Sequence, residues 1–190
     1  RDFVELPSQL FEHWLSEPEV LKRHARHVQT GEAIPDELIA KIAAARRFNQ
    51  GLESVEYTAS ALLDLTLHAR TSMDGLDITR FEEEELRKIG MPPDIVMRHR
   101  LPHFRHLFAG TSYASQYYVY LWAEVLDADG FDAFAEAGDP FDPRVAQALQ
   151  RYIYASGNSL EPGAAFAAFR GRGPTVEPLL KKRGLVPEPA

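Results

Sequence analysis

The chain contains no cysteine among its 190 residues. This absence excludes a disulfide framework, a thiolate metal site and a cysteine nucleophile, and it leads us to expect a reducing, cytoplasmic location. No apolar run reaches the roughly 18 to 20 residues that cross a bilayer, so we expect no membrane partner. Lys and Arg number 21 against 28 Asp and Glu, which gives a net charge of −7. That balance disfavours binding to nucleic acid, whose phosphates need basic partners.

Strand signals are also scarce, with no clear alternating run and no Asn-Gly hairpin turn. Apolar residues instead recur at helical spacing along nearly the whole chain. The predicted helices cover residues 3–14, 20–28, 35–48, 52–69, 77–89, 113–136, 144–154, 161–169 and 176–182. Four consecutive acids at residues 82–85 wrap around a whole helical turn, and we expect them to form a solvated face. The sequence therefore predicts an all-α domain.

The start of the chain bears on its organisation. It begins at Arg1 without an initiator Met, and the apolar pattern is already under way at Phe3. We therefore expect the natural chain to continue upstream, with residues 1–190 forming one part of a larger protein.

Metal-ligand spacing occurs among the histidines but is incomplete. Three pairs have suitable separations, namely His24 with His27, His99 with His103, and His103 with His106. The strongest zinc signature on a helix is H-E-x-x-H, and no histidine of this chain is followed by Glu. The chain by itself therefore holds no complete metal site in its sequence.

Tyrosines concentrate in residues 113–120. On a helix, Tyr113, Tyr117 and Tyr120 fall at i, i+4 and i+7, which would project their phenols from a single face. One interpretation is an amphipathic core stripe whose hydroxyls reach the surface. The other is a binding or catalytic face, whose neutral phenols donate hydrogen bonds to a developing oxyanion. In that case, His106 and Gly110 lie on an irregular loop beside the face.

Two segments carry a resemblance to a known family. The sequence RDFVELPSQ at residues 1–9, and HLFAG at 106–110 leading into YASQYYVYLW at 113–122, resemble the thimet oligopeptidase and peptidyl-dipeptidase family of zinc metallopeptidases. The resemblance covers essentially the whole chain and is closest to bacterial peptidyl-dipeptidases, judging by YLWAEVLD at 120–127. It implies that residues 1–190 are the all-α C-terminal part of one catalytic domain. The H-E-x-x-H helix, which supplies two zinc ligands and the general base in the family, would lie upstream.

The resemblance also implies roles for individual residues. By motif position, Glu5 would be the third zinc ligand, and three protein ligands leave an open position for water. Tyr113 and Tyr120 would stabilise the tetrahedral intermediate or hold the peptide, and His106 would contact the substrate or transition state. The loop and the tyrosine segment line the substrate cleft in the family, which makes Tyr117 and Gly110 substrate-binding candidates.

The expected function follows from this resemblance. The parent protein would hydrolyse short peptides with zinc-activated water, and release of C-terminal dipeptides is favoured over internal cleavage. The expected partners are a short peptide and the upstream part of the same protein, and the fragment alone should be inactive. The alternative is a non-catalytic helical module that binds a peptide or a partner through the tyrosine face.

Overall fold

The computed structural model describes residues 3–186, so the first two residues of the RDFVELPSQ segment and the last four of the chain lie outside it. Within that range the chain forms ten α-helices and no β-strand, which confirms the all-α prediction. The helices are α1 (Leu6–Glu12), α2 (Pro18–His24), α3 (Asp36–Arg46), α4 (Gln50–His68), α5 (Ile78–Lys88), α6 (Arg105–Phe108), α7 (Val119–Ala137), α8 (Pro143–Leu149), α9 (Pro162–Arg170) and α10 (Glu177–Lys182). Two 3₁₀ turns (His13–Ser16 and Leu101–His103) and a π-helical turn (Gln150–Tyr154) join them. None of the helices in residues 3–186 is long and apolar enough to span a membrane.

Helix starts follow the local sequence signals. The Asp77 carboxylate accepts hydrogen bonds from the N–H groups of Thr79 and Arg80 at the start of α5. Asp142 does the same for Arg144 and its neighbour at the start of α8, where a proline takes the first helical position. Aspartate side chains are favoured here because they satisfy backbone donors that have no partner inside the helix. The capping aspartates and the proline therefore mark where α5 and α8 begin.

The chain divides into two compact units. The central unit is Gly51–Leu121, and the flanking unit combines residues 3–50 with residues 122–186. The central unit has its own core, built from α4, α5 and the segment that contains α6. Its buried apolar side chains include Ala59, Leu63, Leu67, Phe81, Met97, Leu101, Phe104 and Leu107. Burial of such side chains is the main favourable term in the stability of the unit.

The prediction of a solvated acidic face is wrong for one of its four residues. Glu82 keeps only 3% of its surface exposed. Its carboxylate accepts a 2.7 Å hydrogen bond from Arg100 Nε and a 2.9 Å bond from the N–H of Leu101. Phe81 and Glu82 are the two buried residues of α5. The arginine and the backbone N–H then compensate the buried charge.

The flanking unit has a second core in which α1 packs against α7. Leu6 and Leu10 are the buried residues of α1, and they belong to the same buried cluster as Phe134 and Phe166. A Cβ at Gly130 would lie 2.8 Å from Leu10 Cδ1, so a larger residue there would require the leucine side chain to shift. The burial of Leu6 and Leu10 therefore holds α1, and Glu5 directly before it, in the flanking unit.

A helical period did not guarantee burial in α3. Apolar residues recur at helical spacing along α3 and just beyond it, at Leu38, Ile42 and Phe48, yet no residue of α3 is buried. All three side chains are exposed, Phe48 with 75% of its surface. The helix itself forms as predicted, with acids in its first turn, which suit the positive end of its dipole.

Candidate active site

His106, Tyr113 and Tyr120 form one hydrogen-bonded chain in the central unit. The Tyr120 hydroxyl donates to the Tyr113 hydroxyl at 2.7 Å, and His106 Nε2 lies 2.9 Å from the Tyr120 oxygen. Because Tyr120 uses its own proton towards Tyr113, the role left for His106 in this arrangement is donation from Nε2–H. The two phenol rings stack at 5.9 Å, and the imidazole meets the Tyr113 ring edge-on at 4.4 Å. The structure thus brings together all three of the residues predicted to be catalytic.

The backbone that achieves this is not the predicted helix. Helix α7 begins at Val119, and residues 113–118 form a turn in front of it. Ser115 has φ of +59°, a left-handed conformation that side chains other than glycine rarely adopt. The argument that Tyr113 and Tyr120 share one helical face is therefore wrong, although their hydroxyls do meet.

A buried carboxylate that the sequence analysis missed holds this turn. Asp64 of α4 is completely buried. One of its oxygens accepts from the Ser115 N–H at 3.0 Å, and the other accepts from the Tyr117 N–H at 2.9 Å. His68, one helical turn further on, places Nδ1 2.7 Å from the same carboxylate. The available signal was an acid inside an apolar stretch of helix, since buried Asp is rare unless it is paired.

Tyr117 is mainly part of the core of the central unit. It keeps 9% of its surface exposed, stacks on Tyr57 at 5.3 Å and meets Phe104 edge-on at 4.8 Å. Burial raises the pKa of its phenol, while a hydrogen bond with Tyr57 works in the opposite direction. Its ring centroid lies 5.4 Å from that of Tyr120, so Tyr117 packs against one of the hydrogen-bonded tyrosines.

Gly110 lies in the exposed segment between α6 and the tyrosine turn. A Cβ at this position would meet no atom within 4 Å, and its φ is not in the left-handed region. Neither space nor backbone conformation within the described residues therefore demands glycine here. Its predicted contact with a substrate stays a prediction.

Glu5 belongs to the flanking unit and stands immediately before α1. Its carbonyl oxygen accepts from Ser8 Oγ and from the Gln9 N–H, both at 3.0 Å, which ties it to the first turn. The residue is partly exposed, and carboxylate oxygen is a normal zinc donor. Within residues 3–186 no group of three or more His, Asp or Glu side chains is arranged to hold a metal ion. The donor chemistry therefore fits a single ligand contributed by this part of the chain.

Comparison with known proteins identifies the class to which these features belong. The family model described as Peptidase family M3 matches residues 1–185. The chain is therefore a member of peptidase family M3, which confirms the resemblance found in its sequence.

Individual relatives agree with this assignment. The chain is 40% identical over 187 residues to a dipeptidyl carboxypeptidase of Escherichia coli and 38% identical over 187 residues to that of Salmonella typhimurium. It is 39% identical over 186 residues to oligopeptidase A of Escherichia coli. Each match covers 97% of this chain and 27% of the relative. The chain thus spans about a quarter of the length of the curated relatives it matches.

Proposed function

We propose that the full-length protein containing this chain is a zinc-dependent peptidase that hydrolyses short peptides and releases C-terminal dipeptides. Membership of family M3 and similarity to dipeptidyl carboxypeptidases support the class of reaction. The observation that carries the proposal is the hydrogen-bonded chain of His106, Tyr120 and Tyr113. A short peptide and the upstream part of the same protein are its partners in this proposal, and the cytoplasmic location stays a prediction.

In this proposal the two tyrosines act on charge that develops during hydrolysis. Attack of water on a peptide carbonyl creates an oxyanion, which hydrogen-bond donors stabilise most when they are held in place beforehand. Phenols keep their protons at neutral pH, and a donor chain that starts at His106 polarises the hydroxyl groups beyond it. His106 is exposed while Tyr113 and Tyr120 are half-buried, so a peptide can reach these three hydrogen-bonded side chains from solvent.

Glu5 is the zinc ligand that this chain would contribute. When bound, the ion supplies Lewis acidity, which lowers the pKa of a coordinated water to near neutrality. Catalytic zinc has three protein ligands, so in this proposal two ligands and the general base come from outside residues 3–186. It follows that the 190-residue chain alone should not cleave peptides.

The test is cleavage of a short peptide with a free C-terminus by the full-length protein, with the products read by mass spectrometry. Release of C-terminal dipeptides that stops with a chelator and returns with zinc would support the proposal. Internal cuts would change the assignment to an oligopeptidase. Absence of cleavage by folded, zinc-loaded protein would refute the enzyme and favour the non-catalytic alternative, in which the tyrosine turn binds a peptide.

A further inference from the structure

We propose that Asp64 is a positioning residue for the two tyrosines: its buried carboxylate holds the turn that places the hydroxyls of Tyr113 and Tyr120 next to each other. The proposal rests on the proposed function of these phenols. Asp64 cannot be a catalytic group itself, because it is completely buried and both of its oxygens accept hydrogen bonds from the turn.

The conformation of the turn needs such an anchor. Ser115 stands in the left-handed region, which is unfavourable for a residue with a Cβ. Its N–H and that of Tyr117 both point at one carboxylate, an arrangement in which successive backbone donors enclose an anion. Hydrogen bonds to a charged acceptor are stronger than neutral ones, and His68 supplies a further partner to the carboxylate. The energy that keeps the strained turn in place thus comes from α4.

The anchored residues lie between the two phenols. Tyr113 comes two residues before Ser115, and Tyr120 comes three residues after Tyr117. A rotation of the backbone at Ser115 therefore moves Tyr113 relative to Tyr120, which belongs to the first turn of α7. Donors that stabilise a transition state must be held close to their productive geometry, so a small displacement lowers the rate without preventing substrate binding.

The test is Asp64→Asn in the full-length protein. Asparagine keeps the shape of the side chain, but its amide N–H₂ replaces one acceptor and faces a backbone N–H. We expect kcat to fall about 10- to 100-fold, as for the loss of one hydrogen bond to a charged group, with KM changed less than about twofold. Bound zinc should be unchanged. Hydrogen exchange in the peptide that covers residues 113–119 should become faster.

The double variant separates positioning from a general structural role. If Asp64 acts through the tyrosine chain, Asp64→Asn should cost little further activity in a Tyr120→Phe background. Losses that multiply would overturn the proposal, because they would show that the two residues act independently. Unchanged exchange in residues 113–119 would also overturn it.

Asp129→Asn is the matched control. Asp129 is equally buried, both of its oxygens accept hydrogen bonds, and one of them accepts from the Thr175 N–H in the flanking unit. We expect this variant to lower thermal stability and leave kcat nearly unchanged; an equal loss of kcat would attribute the Asp64 effect to stability alone and overturn the proposal.

His68→Ala is a milder variant in case Asp64→Asn does not fold. It keeps the hydrogen bonds from the N–H groups of Ser115 and Tyr117 to the Asp64 carboxylate. We expect a smaller loss of kcat that is again non-additive with Tyr120→Phe. An additive loss would contradict the positioning role.

The wild-type protein separates the two proposals. If it cleaves no peptide, the proposed function fails, and the exchange measurement on Asp64→Asn still decides whether this residue holds the turn. If the wild type cleaves peptides and Asp64→Asn has the same kcat and exchange, only the positioning role fails.

Discussion

Removal of the Tyr120 hydroxyl is the most direct perturbation of the candidate site. This group makes both links of the chain, at 2.9 Å to His106 and 2.7 Å to Tyr113. Tyr120→Phe therefore leaves the histidine without its partner and deprives Tyr113 of a donor. Loss of one preorganised donor to an oxyanion typically costs about 10²- to 10³-fold in kcat, or about 2.7 to 4 kcal/mol. We expect a loss of this size for Tyr120→Phe and an equally large one for Tyr113→Phe, because Tyr113 is the last hydroxyl of the chain and receives the donation from Tyr120.

The assay is steady-state hydrolysis of a short peptide by the full-length protein, with kcat and KM measured separately. A donor that acts on the transition state affects kcat, whereas a group that only holds the peptide affects KM. Tyr154→Phe is the control, since its hydroxyl is buried in the flanking unit without a hydrogen-bond partner among the described residues. A rise in KM with unchanged kcat for Tyr120→Phe would refute the catalytic role and leave only peptide positioning.

The remaining predictions concern the metal and stability. Glu5→Ala should sharply lower zinc retention in the full-length protein, measured by elemental analysis, while Glu19→Ala should not; equal zinc contents would refute the ligand assignment. Glu82→Gln should destabilise the central unit by about 1 to 3 kcal/mol because Arg100 loses a charged partner, and unchanged melting would contradict this. Burial raises the pKa of Tyr154 from 10.0 to about 12. The unfolded chain therefore ionises first, stability falls as the pH rises from 10 towards 12, and Tyr154→Phe should lessen that fall in pH-dependent melting curves.

Helices were predictable because their signals are local. Asp77 and Asp142 stand directly before α5 and α8, and both cap those helices with their side chains. Burial of individual side chains was less predictable, because it depends on which other segments pack against each face of a helix. Leu38 of α3 and Glu82 of α5 illustrate this, since the apolar residue is exposed and the acid is buried.

The candidate site shows the same division more sharply. The tyrosines and His106 were identified from their sequence, but the helical argument for their common face does not hold. Ser115 turns the backbone into a left-handed conformation, and no periodicity reports such a residue. Asp64 could be recognised only as an acid among apolar neighbours, because the backbone N–H groups that it binds in the turn lie about fifty residues further along the chain.

The amino-acid sequence by itself determined the all-α class, most helix boundaries, the family and the set of candidate residues. All of these depend on local spacing, capping or motif identity, which are properties of neighbouring positions. Only the tertiary structure decided that Tyr120 links His106 to Tyr113 and that Asp64 anchors the turn between the phenols. The physical reason is that hydrogen bonds across distant segments depend on how the helices pack, and packing is a property of the whole unit.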